Sequence, residues 1–322
     1  MRTTKPHNGC RTNDNEKDYH LMSARFQAVF HFLTCLALWL GLGTAPVLAA
    51  VTPDSAVVLR GASQFGLTSN YTGQSYIIYL SVPEAPAPAG GYPVLYALDG
   101  DSSFPALHLA NPRSAEALAM QAAHGRNAPD PGIVVAIGYG RDMLQTRDLR
   151  SRDYLPPLQS TSNPSGADAF ALFIERELKP QIAARFPLNP TRQSLLGHSY
   201  GGLFTLYRLL QQPAAFQRYF AISPSLWAVE GRVAGMGFSQ PPGARLALWI
   251  GGNEQPAAAS ADPARTARVE ARNMLGKAQA FAARMQTVSG LQTDLRVVPD
   301  HDHGEMAIYA YARVLRLAFA PD

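Results

Sequence analysis

Ser194-Leu195-Leu196-Gly197-His198-Ser199-Tyr200-Gly201-Gly202-Leu203-Phe204-Thr205-Leu206-Tyr207-Arg208-Leu209-Leu210 begins as a short apolar strand, passes through G-x-S-x-G and continues as a helix. The order matters more than the pentapeptide. A serine on a sharp strand-to-helix turn is held in a strained backbone conformation, and flanking glycines let strand and helix approach closely. The helix N-terminus behind it favours developing negative charge. A glycine-rich cap with an incidental serine is the plainer alternative, but the strand before and the helix after favour Ser199 as a nucleophile.

Working outward, apolar runs at 92–98 and 132–138 suit strands buried on both faces of a parallel sheet. Further strands are expected at 57–60, 74–82, 194–196, 218–222, 245–250 and 295–298. Phe170, Phe173, Ile174, Leu178, Ile182 and Phe186 recur at helical spacing, which predicts an amphipathic helix over 166–186. Helices are also expected over 263–286 and 304–318. Strands alternating with helices give a mostly parallel, doubly wound α/β sheet with helices on both faces. Segment 140–168 reads as long and irregular, a candidate lid or binding loop.

A serine hydroxyl needs a base within roughly 3 Å. Pro299-Asp300-His301-Asp302-His303-Gly304-Glu305-Met306 follows the last strand and offers two histidines. His303 is preferred because Gly304 would let its ring reach the turn, and His301 is the alternative. A His/Asp/Glu cluster could also bind metal, but no second ligand group lies at suitable spacing, so neither metal nor cofactor is expected. An acid orienting the imidazole is expected after 245–250, where Glu254 comes first and Asp262 second; Asp300 and Asp302 remain open. For an oxyanion, the backbone N–H groups of Tyr200 and Asp101 are the candidates, with Asp99 holding its loop.

The chain has 322 residues, 47% hydrophobic and 16% charged, with net charge +4. This is a globular composition, and no basic run suggests a nucleic-acid surface. Arg25, the apolar run 32–40 and the small residues Val47-Leu48-Ala49-Ala50 read as a cleavable export signal, fitting a start at Met22 better than Met1. The run is too short for a membrane span. Residues 1–50 are therefore an N-terminal extension with signal, and 51–322 one folded domain, periplasmic or secreted. Both cysteines, Cys10 and Cys35, precede the cleavage site, and Cys35 sits in a poor lipobox.

Together these segments resemble the esterase family of α/β hydrolases that includes esterase D, mycolyltransferases and siderophore esterases. The closest likeness is to the periplasmic trilactone siderophore esterases. It rests on 92–101, Gly197–Gly202, Ser223-Pro224-Ser225-Leu226-Trp227, Gly252-Asn253-Glu254-Gln255, His303-Gly304-Glu305-Met306 and Arg150-x-x-Asp153-Tyr154-x-Pro156. The resemblance implies the α/β-hydrolase fold, Ser199 and His303 as catalytic pair, and Arg150 and Trp227 on the substrate side, with Arg150 facing anionic catecholates. A loop salt bridge of Arg150 with Asp148 or Asp153 is the competing reading. Leu155 stands where the family often has Thr, and Ala228 where a second Trp is common. The expected activity is ester hydrolysis through an acyl-enzyme, with a small-molecule ester such as a ferric siderophore as partner. A generic carboxylesterase, an acyltransferase and a non-catalytic binding protein are the rivals.

Overall fold

Eight strands form one sheet in the order β1-β2-β4-β3-β5-β6-β7-β8 in a computed structural model that describes residues 58–123, 129–157, 166–255 and 263–321. The strands are β1 (Ala62–Thr68), β2 (Ser75–Ser81), β3 (Tyr92–Ala97), β4 (Ile133–Gly138), β5 (Leu188–His198), β6 (Arg218–Ile222), β7 (Ala244–Gly251) and β8 (Leu291–Val298). β1 and β2 run antiparallel to their neighbours, and the other six are mutually parallel. The residues from Val58 onward form one compact unit. The export signal, Met22, both cysteines and Asp262 lie outside the described residues. Among the described residues no helix is long and apolar enough to cross a membrane.

The central strands are apolar throughout because both faces are covered. In β3, Val94 and Tyr96 enter one core while Leu95 and Ala97 enter the other. Helix α1 (Gly100–Ala110) and the last helix, here α10 (Glu305–Ala318), fill the second face with Phe104, Leu107, Met306, Ala310 and Val314. The first face holds helices α4 (Ala167–Leu172), α6 (Tyr200–Gln211) and α9 (Met274–Gln286), through Phe170, Leu203, Phe204, Phe281 and Met285. The remaining helices are α2 (Ala115–Ala123), α3 (Arg147–Tyr154), α5 (Lys179–Ala183), α7 (Arg232–Gly235) and α8 (Pro263–Arg272).

Several elements differ from the sequence expectation for physical reasons. Residues 58–60 are not a strand, and Val58 is exposed; the edge strand lies at Ala62–Thr68 instead. That strand turns only Ala62, Phe65 and Leu67 partly inward, so its apolar signal is weak. The helix expected over 263–286 breaks at Asn273, which adopts a left-handed conformation at φ 43° and separates α8 from α9. Segment 140–168 is not wholly irregular, since 143–154 is helical. Its composition hides the helix because nearly every face is polar, and over 147–154 only Asp153 and Tyr154 are buried. Between α4 and α5 the helix widens into a π-segment, Phe173–Leu178. β8 starts at Leu291 rather than 295, its extra residues alternating at a sheet edge.

Two buried arginines fasten the end of α10 to the sheet. Arg192 donates to the carbonyls of Phe319 and Ala320 at 2.9 and 2.8 Å and pairs with Asp130 at 2.6 Å. Arg218 donates to Ala318 and Ala320 at 2.8 and 3.1 Å. Both satisfy carbonyls that a helix terminus leaves unpaired, and the cations complement its dipole. Arg192→Met is expected to lower stability by about 2–4 kcal/mol, because several charge-assisted bonds are lost at a buried site. A urea midpoint unchanged from the parent protein would contradict this role.

Candidate active site

β5 ends at His198, and Ser199 sits at φ 59°, ψ −117° before α6 begins. That conformation is costly for a residue with a side chain, and the surroundings hold it. The Ser199 N–H donates to the Ile222 carbonyl at 3.0 Å. Position 197 admits only glycine, because a Cβ there would lie 2.1 Å from the Gly201 carbonyl oxygen. At Gly202 a Cβ would meet the Ile222 carbonyl oxygen at 2.8 Å.

The loop after β8 brings His303 to this turn. His303 Nε2 lies 3.0 Å from Ser199 Oγ, and Nδ1 lies 2.8 Å from Glu254 Oε2. Glu254 follows β7 and is buried; its Oε1 accepts the Gly251 N–H at 2.9 Å and the Ser223 hydroxyl. Nucleophile, base and orienting acid require this arrangement. His301 instead points away, bonded to the Pro299 carbonyl and packed edge-on against Tyr309. Asp302 Oδ1 accepts the N–H groups of Gly304 and Glu305, while Glu305 Oε2 accepts that of Asp302. This reciprocal cap starts α10 immediately after His303.

Tyr200 and Asp101 occupy the first turns of α6 and α1, where backbone N–H groups have no intrahelical acceptor. The Asp101 carboxylate is tied elsewhere, accepting from the Tyr79 hydroxyl and from the N–H groups of Tyr139 and Gly140 at 2.7, 2.7 and 2.9 Å. Arg150 does reach the cleft, but its partner is neither Asp148 nor Asp153. It binds Asp99 through Nε and Nη2 at 2.7 and 3.0 Å, and Tyr154 donates to the same carboxylate. Asp153 is held by Arg152, Tyr76 and Tyr139.

An open cleft of about 740 Å³ lies over Ser199 and His303. Trp227 forms part of its wall, 6.2 Å from the Tyr200 ring, with the Arg272 guanidinium over it at 4.5 Å. Arg147 and Arg268 also line it. The sequence reading missed Arg147, Arg268 and Arg272. Arg147 with Arg150, and Arg268 with Arg272, stand at helical i,i+3 and i,i+4 spacing, so each pair shares a face. An irregular reading of 140–168 hides Arg147 beside Arg150. Among the described residues no cluster of His, Cys, Asp and Glu is suited to hold a metal.

His198 fills the first variable position of G-x-S-x-G. Its Nε2 donates to the His303 carbonyl at 2.8 Å, and the two rings lie 4.7 Å apart. Burial, and secondarily the neighbouring His303 and Arg150, push its pKa down to about 3 from 6.5. The folded protein therefore refuses a proton that the unfolded chain accepts below pH 6.5. Stability from this group is present above that pH and falls with acidification by up to about 1.4 kcal/mol per pH unit. His198→Gln keeps a donor but cannot titrate. Between pH 6.5 and 4.5 the parent protein is expected to lose about 2–3 kcal/mol more than this variant; urea melts with equal acid slopes would exclude the assignment.

The family model described as "Putative esterase" matches residues 69–301. The chain is 34% identical over 187 residues to the ferri-bacillibactin esterase BesA of Bacillus subtilis, covering 54% of this chain and 61% of that protein. It is 36% identical over 178 residues to the siderophore triacetylfusarinine C esterase of Aspergillus fumigatus, covering 53% and 58%. Both alignments thus span less than two thirds of the relative's own length. Among solved structures, the siderophore hydrolase EstB from Aspergillus nidulans superposes with a TM-score of 0.69 at 25% identity, covering 84% of this chain and 98% of that one. With the sheet order, the strand-to-helix serine turn and a family match over most of its length, the chain belongs to this esterase family of α/β hydrolases and is related to siderophore esterases.

Proposed function

We propose that the protein is an exported serine ester hydrolase that cleaves siderophore-type trilactones through an acyl-enzyme. The observation that carries the chemistry is the unbroken line from Ser199 Oγ through both nitrogens of His303 to Glu254. His303 takes the Ser199 proton as Oγ attacks the ester carbonyl. Glu254 holds the ring with Nε2 toward serine and stabilises the imidazolium. The N–H groups of Tyr200 and Asp101 receive the oxyanion, a contribution of about 3–4 kcal/mol per donor at such sites. His303 then protonates the leaving alcohol and activates the water that releases the acid.

The substrate class rests on the cleft. Arg147, Arg150, Arg268 and Arg272 line it beside the aromatic rings of Tyr200 and Trp227. Arginines over aromatic surface suit a bulky, anionic, ring-bearing ester better than a short neutral one. Arg150 acts here chiefly through Asp99, bracing the wall, so Arg147 and Arg272 are the cations turned to substrate. Export rests on the reading of residues 22–50; it would place the enzyme where ferric chelates arrive.

The test compares residues 51–322 with their Ser199→Ala variant on a ferric tricatecholate trilactone and on p-nitrophenyl esters. Trilactone hydrolysis is expected to exceed that of the simple esters by orders of magnitude, and the variant to lose activity at least about 10⁴-fold. Turnover of short esters alone would leave a generic carboxylesterase. Full activity in the variant would remove Ser199 from the mechanism.

A further inference from the structure

Ser225 lies in the loop that follows β6, 2% exposed, with Oγ 3.3 Å from Ser199 Oγ. The proton inventory fixes the direction of this contact. Glu254 accepts from His303 Nδ1, so Nδ1 bears the hydrogen and Nε2 is the acceptor. Ser199 gives its one proton to Nε2 over 3.0 Å. At the contact between the two serines, Ser199 can then only accept, and Ser225 must donate.

The loop is built to keep that donor still. Ser223 adopts φ 43°, its N–H donates to the Trp249 carbonyl at 2.7 Å, and its hydroxyl binds Glu254. Pro224, between the two serines, has its own φ locked by its ring. The Ser225 N–H donates to the Ser199 carbonyl at 3.1 Å, and the Ser225 carbonyl accepts the Ala228 N–H at 2.9 Å. One short segment thus grips the acid with its first serine and the nucleophile with its second.

We infer that Ser225 is a further catalytic residue, a fixed hydroxyl donor to the nucleophilic oxygen; this rests on Ser199 being the nucleophile. During attack the Ser199 O–H bond breaks, its proton passes to His303 Nε2, and Oγ bonds to the carbonyl carbon while the carbonyl electron pair moves to oxygen. Ser225 keeps its own proton throughout. As negative charge gathers on Oγ the hydrogen bond becomes charge-assisted and strengthens, so it favours the transition state over the resting state. The same holds when Oγ departs from the acyl carbon in deacylation.

Inactivation by a fluorophosphonate reads attack by Ser199 without any ester substrate, since fluoride leaves unprotonated. Ser225→Ala is expected to slow inactivation about tenfold, roughly one such hydrogen bond. kcat on a p-nitrophenyl ester should fall similarly while KM, the urea midpoint and the pH midpoint of the base stay put. Ser225→Thr, which restores a hydroxyl, should recover most of the rate. Inactivation of a folded Ser225→Ala within twofold of the parent, or a change confined to KM, would overturn the inference. Ser199→Ala serves as control. If it still reacts with the reagent, the nucleophile assignment itself fails and this inference with it; if it is inert, the Ser225 result stands or falls alone.

Discussion

Backbone contact between Gly197 and Gly201 is the constraint on which the rest of the site depends. No side chain fits at 197, because the helix starts against the strand it has just left. That closeness forces Ser199 out of ordinary backbone space and lifts its hydroxyl clear of the sheet. It also aligns the Ser199 N–H with Ile222 on the neighbouring strand, which fixes where the loop after β6 can run. Ser223 and Ser225 then inherit their positions from the same contact. The strain at one residue is sustained by two strands, a helix and a loop, each well packed for its own reasons.

Charge is divided within the cleft by a simple rule. The cation inside the wall, Arg150, is neutralised by the buried carboxylate of Asp99. Arg147 and Arg272, on exposed helix surface, reach over the opening. Buried pairs brace the wall, and solvated cations are left to meet a ligand at lower desolvation cost. His198 follows the first half of the rule differently, as burial beside His303 keeps it neutral. A charged ring there would repel the imidazolium that the proposed chemistry must form.

Much of this was legible in the sequence wherever information is local. Strand, glycine, serine, glycine and helix stand within seventeen residues, and the apolar runs of β3 and β4 announce a sheet covered on both sides. Legibility failed where the signal is tertiary. Gly304 favours His303 over His301 in the sequence, but the reason His301 is diverted, its ring packed against Tyr309, appears only in the fold. Arg150 has acidic neighbours in sequence yet binds Asp99, 51 residues away. The edge strand β1 and helix α3 escaped because both show mostly polar faces. Ser223 and Ser225 carry no periodic signature, and their roles arise from what the sheet places beside them.

The proposed catalytic groups are far apart along the chain. Ser199 is separated from His303 by 104 residues and His303 from Glu254 by 49. They meet only when β5, β6, β7 and β8 have paired in parallel, each pairing closing a long crossover that collects its reward late. Any half-folded species with its C-terminal strands undocked is therefore chemically silent, however well its central strands are formed. Turnover in this molecule is a reporter of the completed sheet, and a refolding population followed by activity would lag one followed by helix content.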